Sequence, residues 1–228
     1  MARRPRLKLA CVPNHIIQRG DNRGAVFFTD SDHETYLEYL GEACKKYDVH
    51  LHAYVLMTNH VHLLVTPTFE EGVSELMKQL GLQYVQYVNR AHARSGTLWE
   101  GRFRSCLVGE EYFFLGCQRY IELNPVRAGL VENPADYRWS SYRRNALGET
   151  NARIIPHRLY KRLGADLQSR LEAYRNLFRE PLDAKLVDQI RKYTNGGFVV
   201  GSERFQEDIA KITGMRTWRL RPGRPTKT

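Results

Sequence analysis

The sharpest chemical pattern in this 228-residue chain is Asn59-His60-Val61-His62-Leu63-Leu64-Val65. Residues two apart on a strand share a face. His60 and His62 are therefore able to grip one divalent ion while Val61, Leu63 and Val65 turn to a core. A rival pair, His50 and His52, lies on the preceding run. If Thr58-Asn59 forms a two-residue turn, His60 opposes Met57 and His62 opposes Val55. Simple alternation then sends His50, His52 and Tyr54 to the other face, and the four histidines do not make one site. A His-x-His pair alone fits packing histidines as well as a metal centre, so a third ligand and a reactive group are needed. Tyr120 and Asn124 lie four apart, on one face of a helix. Pro125 disfavours helical backbone at Asn124, which places it on the last turn or just past it. A tyrosine hydroxyl, with a pKa of about 10, is a poor nucleophile at neutral pH. A divalent ion that polarises the electrophile makes attack feasible. Packing is the competing reading for any one of thirteen tyrosines.

The elements that must position these residues follow from periodicity. Val12–Gln18 reads as a strand, ended by a polar turn through Arg19-Gly20-Asp21-Asn22-Arg23-Gly24. Thr29 or Asp30 caps a helix running to about Tyr47, with Tyr36, Leu37, Leu40, Ala43 and Cys44 at helical spacing. Val49–Met57 and His60–Thr66 are strands, the second stopped by Pro67. Residues 69–93 form a long amphipathic helix, 98–108 a strand and 110–123 a helix. This order predicts an α+β fold: a ferredoxin-like antiparallel sheet with helices on one face and a further helix added. A boundary near residue 150 separates this domain (1–150) from a helical extension (151–228). Further short helices are expected near 183–193 and 203–213, the second capped by Ser202.

Composition narrows the classes. The 35 Lys and Arg against 25 Asp and Glu give a net charge of +10. All of the excess sits at the ends, in residues 1–10 and 209–228, which hold no acid. The middle is formally neutral. An ordinary hydrophobic content of 42% argues for a folded body. No run suits a membrane span or a signal peptide. Cys11, Cys44, Cys106 and Cys117 form no close pair and read as reduced core residues of a cytoplasmic protein. Basic tails suggest a polyanion, nucleic acid first, with plain solvated tails as the competing reading.

At this point the motifs resemble a family. Residues 53–65, around Asn59-His60-Val61-His62, resemble the His-hydrophobe-His (HUH) strand of single-tyrosine transposases. Leu98-Trp99-Glu100-Gly101-Arg102-Phe103 and the stretch Arg119–Gly129 resemble two further motifs of that family. His15–Arg23 and Trp139-Ser140-Ser141-Tyr142 fit as well. The match runs from about residue 12 to 145, and the branch it is most similar to is the REP-associated tyrosine transposases. The resemblance implies that His60 and His62 ligate Mg²⁺ or Mn²⁺, with Asn124 at the third-ligand position. Tyr120 would be the nucleophile, cutting single-stranded DNA through a 5′-phosphotyrosine link and releasing a 3′-hydroxyl that a reverse attack rejoins. No nucleotide cofactor is then required, and the chain has no Gly-rich phosphate loop. Thr58 stands where the family usually has proline. Members act on imperfect DNA hairpins with an unpaired tetranucleotide, as monomers or homodimers, here in a bacterial, nucleoid-associated setting.

The DNA-binding surface is read from charge. Arg19, Asn22 and Arg23 sit in the first loop, and Arg102 and Arg104 before and within the last strand, as candidates for base or backbone contacts. Trp99 and Phe103 suit core packing better than base stacking. Residues 221–227, with Arg221 and Arg224, resemble an AT-hook, which fits a narrow minor groove. The gap of about eight residues between the helices near 183–193 and 203–213 is long for a helix-turn-helix. Two other functions remain open: a hairpin-DNA binder or repressor without catalysis, and a phosphodiesterase using activated water with Tyr120 only packed. If the basic end holds DNA, trimming residues 214–228 should weaken affinity and flatten its salt dependence, with the covalent step at saturating DNA nearly intact. Equal affinity and salt slope would show that charge to be incidental.

Overall fold

The structure is a computed structural model and describes residues 4–219. Its elements in chain order are β1 (Asn14–Arg19), α1 (Asp30–Lys46), β2 (Val49–Met57), β3 (His60–Pro67), α2 (Gly72–Ala91), β4 (Arg104–Val108), α3 (Glu111–Glu122) and α4 (Asn124–Arg127). There follow α5 (Tyr142–Leu147), α6 (Arg158–Lys161), α7 (Leu167–Asn176), α8 (Ala184–Gly196), β5 (Val199–Val200) and α9 (Glu203–Thr213). The sheet order is β2-β3-β1-β4-β5. The first four strands are mutually antiparallel, with the ferredoxin-like arrangement expected.

Local sequence explains much of this. Thr29 caps α1 by accepting from Asp32 N, and Asp32 answers to the Thr29 backbone in a reciprocal capping box. Asp166 caps α7 in a second such box with Ser169, and Ser202 caps α9 by accepting from Phe205 N alone. The Thr58-Asn59 turn pairs Met57 with His60 and Val55 with His62. Its carbonyls are then clamped by the first loop: Val26 N donates to Thr58 O at 2.8 Å and Gly20 N to Asn59 O at 2.9 Å.

The sheet is covered on both faces. Ile16, Leu51, Tyr54, Leu56, Val61, Leu63 and Val65 pack with α1 and α2. Ala53, Val55, Met57, Leu64 and Cys106 pack with α3 and with helices beyond residue 140. Trp99 and Phe103 are buried in the first of these cores.

Several expectations need correction. A bulge between Leu51 and Ala53 breaks the alternation of β2. Tyr54 faces α1 and α2 as expected, but His52 is carried to the α3 side, against Phe114 and His157. His52 stays apart from His60 and His62 because it lies at the far end of the strands, its nitrogens bonded to Ile155 O and Thr66 Oγ1. The strand expected over 98–108 is only Arg104–Val108, because Leu98 and Trp99 leave the ladder to receive the first loop. Residues 183–213 are no helix-turn-helix: β5 stands between α8 and α9 and adds to the sheet parallel to β4. Cys11 is exposed rather than in the core. Arg221 and Arg224, with the AT-hook-like segment, lie outside the described residues. Thr217 is fully buried, accepts a backbone bond from Val199 and donates to Gln206 O. A trimming experiment should therefore begin after Arg219, where it removes charge without unpairing β5.

The helix that carries Tyr120 is anchored by a buried carboxylate. Glu122 is fully buried and accepts from Ser141 Oγ at 2.6 Å, Asn145 Nδ2 at 2.8 Å and Tyr174 Oη at 2.7 Å. Ser141 Oγ also accepts from Tyr54 N, so the Trp139-Ser140-Ser141-Tyr142 motif joins α3 to the edge of β2. Burial raises the Glu122 pKa to about 7, and the three donors hold it back from rising further. The folded state thus keeps a proton that the unfolded chain loses near 4.5. This contribution is full below that pH and falls by on the order of 3 kcal/mol as the pH rises to about 7. Buried neutral histidines act in the opposite sense over the same range, so the contribution is read by difference: in chemical denaturation at successive pH values, the stability of Glu122→Gln should rise more steeply with pH than that of the wild type. Glu122→Ala, which strands three buried donors, should cost about 2–4 kcal/mol at pH 6.

Candidate active site

Strand geometry delivers the two histidines to one place. In β3 the odd positions enter the α1–α2 core, so His60 and His62 face the α3 side. β1 lies beside β3 and adds His15 to the same face, its ring edge to edge with that of His62, with centroids 5.1 Å apart and planes within 3° of parallel. From α3, Tyr120 sets its ring edge-on to both, 5.7 Å from His62 and 5.9 Å from His15. Leu123 keeps near-helical backbone, so the chain passes from α3 into the short turn α4, which Asn124 opens with Pro125 behind it. Asn124 hydrogen bonds to the His60 side chain.

These residues line one cavity of about 410 Å³, together with Arg19, Arg104, Arg127 and, from α8, Ile190, Arg191, Thr194 and Asn195. The cavity therefore brings together Tyr120, His60, His62 and Asn124, and adds Arg19 and Arg104 to them. Asn22 and Arg23 do not line it. They are exposed, with left-handed φ values of 49° and 60°, on the loop whose Arg23 carbonyl accepts from Asn59 Nδ2. Arg102 lines a neighbouring hollow.

A chain of hydrogen bonds runs behind the cavity. His62 Nδ1 and His15 Nε2 are 2.8 Å apart, His15 Nδ1 and Thr194 Oγ1 2.8 Å, and Thr194 Oγ1 and Cys106 Sγ 3.1 Å. Two proton arrangements satisfy this chain. In one, Thr194 donates to sulfur, His15 donates to Thr194 and His62 donates to His15, which leaves a lone pair on His62 Nε2. His60 Nδ1 donates to Asn59 Oδ1 at 2.6 Å, which likewise leaves a lone pair on its Nε2. Burial keeps all three rings neutral. It lowers His15 to about 3 and, with Arg19 nearby, His60 to about 4; His62 falls well below the usual imidazole value, with His15 and His60 adding to burial.

Neutral imidazoles with their second nitrogen held in place are what a divalent ion requires. The donor set is two imidazoles and an amide. Among the described residues no group of three or more His, Cys, Asp or Glu side chains is arranged to hold a metal ion. An ion here would complete its shell with phosphate or water oxygens, which suits Mg²⁺ or Mn²⁺. Over Tyr120 lies the Arg127 guanidinium, 4.5 Å from the ring centroid, in cation–π contact with it.

His15, Thr194 and Arg127 are the site residues that sequence reasoning passed over as site groups. His15 stood within a recognised motif, and its place on an odd-even match with β3 was available once β1 and β3 were paired. Thr194 had no signal at all. Its access depends on Gly116 of α3, where a Cβ would meet Leu186 Cδ2 of α8 at 2.3 Å.

With the geometry described, the comparisons add identity. The chain matches the family described as IS200-like transposases over residues 11–124, half its length. It belongs to the IS200-like transposase family. A Haemophilus influenzae protein named, provisionally, a REP-associated tyrosine transposase is 25% identical over 138 residues, spanning 56% of this chain and 78% of that protein. A solved structure of a REP-associated tyrosine transposase bound to a REP hairpin matches with a TM-score of 0.53 and 16% identity, over 69% of this chain and 93% of that one. That likeness is one of fold. The matched family segment ends at Asn124, so it contains His60, His62, Tyr120 and Asn124.

Because His15 and His60 are neutral in the folded chain and titrate near 6.5 when unfolded, they stabilise it fully above that pH and the contribution is lost as pH falls. In a histidine NMR titration the His15 and His60 signals should stay neutral from pH 8 down to pH 5. Midpoints near 6.5 for either would contradict the buried arrangement.

Proposed function

We propose that this protein is a transposase of the REP-associated kind, which cuts and rejoins single-stranded DNA beside a hairpin with Tyr120 as nucleophile. The observation that carries the reading is the meeting of Tyr120, His60, His62 and Asn124 in one cavity of one chain. The named relatives, one of them solved on a REP hairpin, support hairpin DNA as the substrate.

His60, His62 and Asn124 would hold a Mg²⁺ or Mn²⁺ ion, which when bound polarises the scissile phosphate as a Lewis acid. The remaining steps belong to the chain. The Tyr120 oxygen attacks phosphorus, a phosphotyrosine bond to the 5′ side forms and a 3′-hydroxyl leaves. Arg127 steadies the negative charge on the tyrosine oxygen, and Arg19 and Arg104, on the cavity wall, steady the phosphate. The His15–Thr194 pair fixes the His62 ring so that it turns the same nitrogen to the cavity throughout. Since the bond energy is kept in the phosphotyrosine, a 3′-hydroxyl restores the strand by the reverse attack without a nucleotide cofactor.

The test is a denaturing gel after incubation of the protein, Mg²⁺ or Mn²⁺ and a labelled hairpin oligonucleotide taken from repeated palindromes of the host genome. A covalent protein–DNA band should form and Tyr120→Phe should abolish it. Cutting without an adduct that survives Tyr120→Phe would assign a water-using nuclease. A native shift with no cutting would assign a binder. His60→Ala and His62→Ala should each remove cleavage while leaving DNA binding within a few-fold. His15→Phe should weaken Mn²⁺ affinity by about 10- to 100-fold, read by Mn²⁺ paramagnetic resonance.

A further inference from the structure

Asn59 stands between the first loop and His60. Its Nδ2 donates to the Arg23 carbonyl at 3.0 Å, and its Oδ1 accepts from His60 Nδ1 at 2.6 Å. A side-chain amide carries donors on one end and an acceptor on the other. Turned over, it would still bond to His60, with its NH₂ donating to a lone pair on Nδ1. The ring proton would then sit on Nε2, and no lone pair would remain there for an ion. The two orientations are thus alike toward His60 and differ toward Arg23, where the turned amide would set its oxygen against the carbonyl oxygen. Asn124 also bonds to the His60 side chain. It carries an amide too, so it follows either ring tautomer and selects neither.

The Arg23 carbonyl is held where this selection needs it. Asn22 and Arg23 keep left-handed backbone, at φ 49° and 60°, which non-glycine residues seldom take. Hydrogen bonds close the loop on itself, from Arg23 N to Gly20 O at 3.0 Å and from Gly24 N to Asp21 O at 2.8 Å. The closure is so tight that a Cβ on Gly20 would lie 2.2 Å from Gly24 O. The loop is fastened to its neighbours by Gly20 N on Asn59 O at 2.9 Å and by Asp21 N on Leu98 O at 3.0 Å. Asn59 is therefore gripped by one loop at its backbone oxygen and at its side-chain nitrogen. Backbone in sparsely populated conformations persists where its surroundings over-determine it, and such places cluster at ligand clamps and switches. Asn22 and Arg23 are themselves exposed.

We propose that Asn59 is a positioning residue through which the first loop sets the proton of His60 on Nδ1 and so keeps Nε2 open to a divalent ion. With the Arg23 carbonyl in place, the amide has one orientation and the ring one tautomer. With the carbonyl displaced, both are free to turn, and the ring spends part of its time with Nε2 closed by a proton. The backbone of Arg23 does this, whatever its side chain meets. A ligand that holds the exposed loop in its present shape therefore also holds the site ready. The inference rests on the reading of His60 as an ion ligand and deepens it, since it makes the readiness of that ligand a property of the loop.

The experiment uses the full chain in EDTA, without DNA, and reads the ring nitrogens of His60 in long-range proton–nitrogen NMR correlations. In the wild type Nδ1 should appear as the protonated nitrogen and Nε2 as the bare one. Asn59→Ala should average the two signals. Arg23→Pro should do the same with Asn59 intact, because proline cannot take the φ of 60°. Asn59→Asp should keep the proton on Nδ1, since a carboxylate only accepts. His15 and His62 should keep their signals in all three variants. Mn²⁺ affinity, read by paramagnetic resonance, should fall about 10- to 100-fold in Asn59→Ala and hold at or above the wild-type value in Asn59→Asp. A proton on Nε2 in the wild type, unchanged signals in Asn59→Ala or Arg23→Pro, or loss of the Nδ1 proton in Asn59→Asp would each overturn the proposal. So would a change that reaches His15 and His62 alike, which would make Asn59 a packing residue. The tautomer is read without ion or cleavage, so absence of Mn²⁺ binding in the wild type would sink the ligand reading and leave the tautomer result standing.

Discussion

The register of β3 is the constraint on which the rest of the molecule depends. This strand is central and buried on both faces, with Val61, Leu63 and Val65 in one core and Leu64 in the other. A slip of one residue would drive His60 and His62 into the α1–α2 core and expose the valines to the cavity. Burying an imidazole there without partners costs more than the apolar side gains. The two-residue turn sets this register from one side, and pairing with β1 locks it from the other. Everything in the site is measured from it.

The second constraint is the placement of the tyrosine helix. α3 carries Tyr120 toward the cavity and Glu122 away from it, into the Ser141, Asn145 and Tyr174 cluster. The same short segment therefore supplies the reactive group and its anchor. A tyrosine whose helix is fixed through a buried carboxylate is held in place, at the cost of a carboxyl group that burial pushes toward neutrality. Arg127, about two helical turns further on, brings positive charge to the ring. Residues beyond the matched family segment complete the back wall, since Thr194 holds His15 and His15 holds His62.

The charge distribution also acquires a meaning. The net +10 sits at the ends of the chain, and the described part of the N-terminal end does not hang free. Leu7 docks it, so that Arg4 and Arg6 line a hollow together with Arg102, Arg104 and Asn195. Sequence arithmetic located the charge and could not show its direction, because a docking contact between Leu7 and Ile209 leaves no local trace.

What the sequence by itself determined is what short-range physics controls. The two-residue period of β3 put both histidines on one face, Thr29 and Ser202 announced helix starts, and the spacing of Tyr120 and Asn124 kept them on one side. The motifs carried the family. Tertiary structure decided the rest: the bulge that turns His52 around, the hydrogen bond between His15 and His62, the addition of β5 to the sheet and the reach of Thr194 across 179 residues to His15. Each of these depends on which distant surfaces meet. Such meetings are governed by packing and by the pairing of buried polar groups, which no local window of residues encodes.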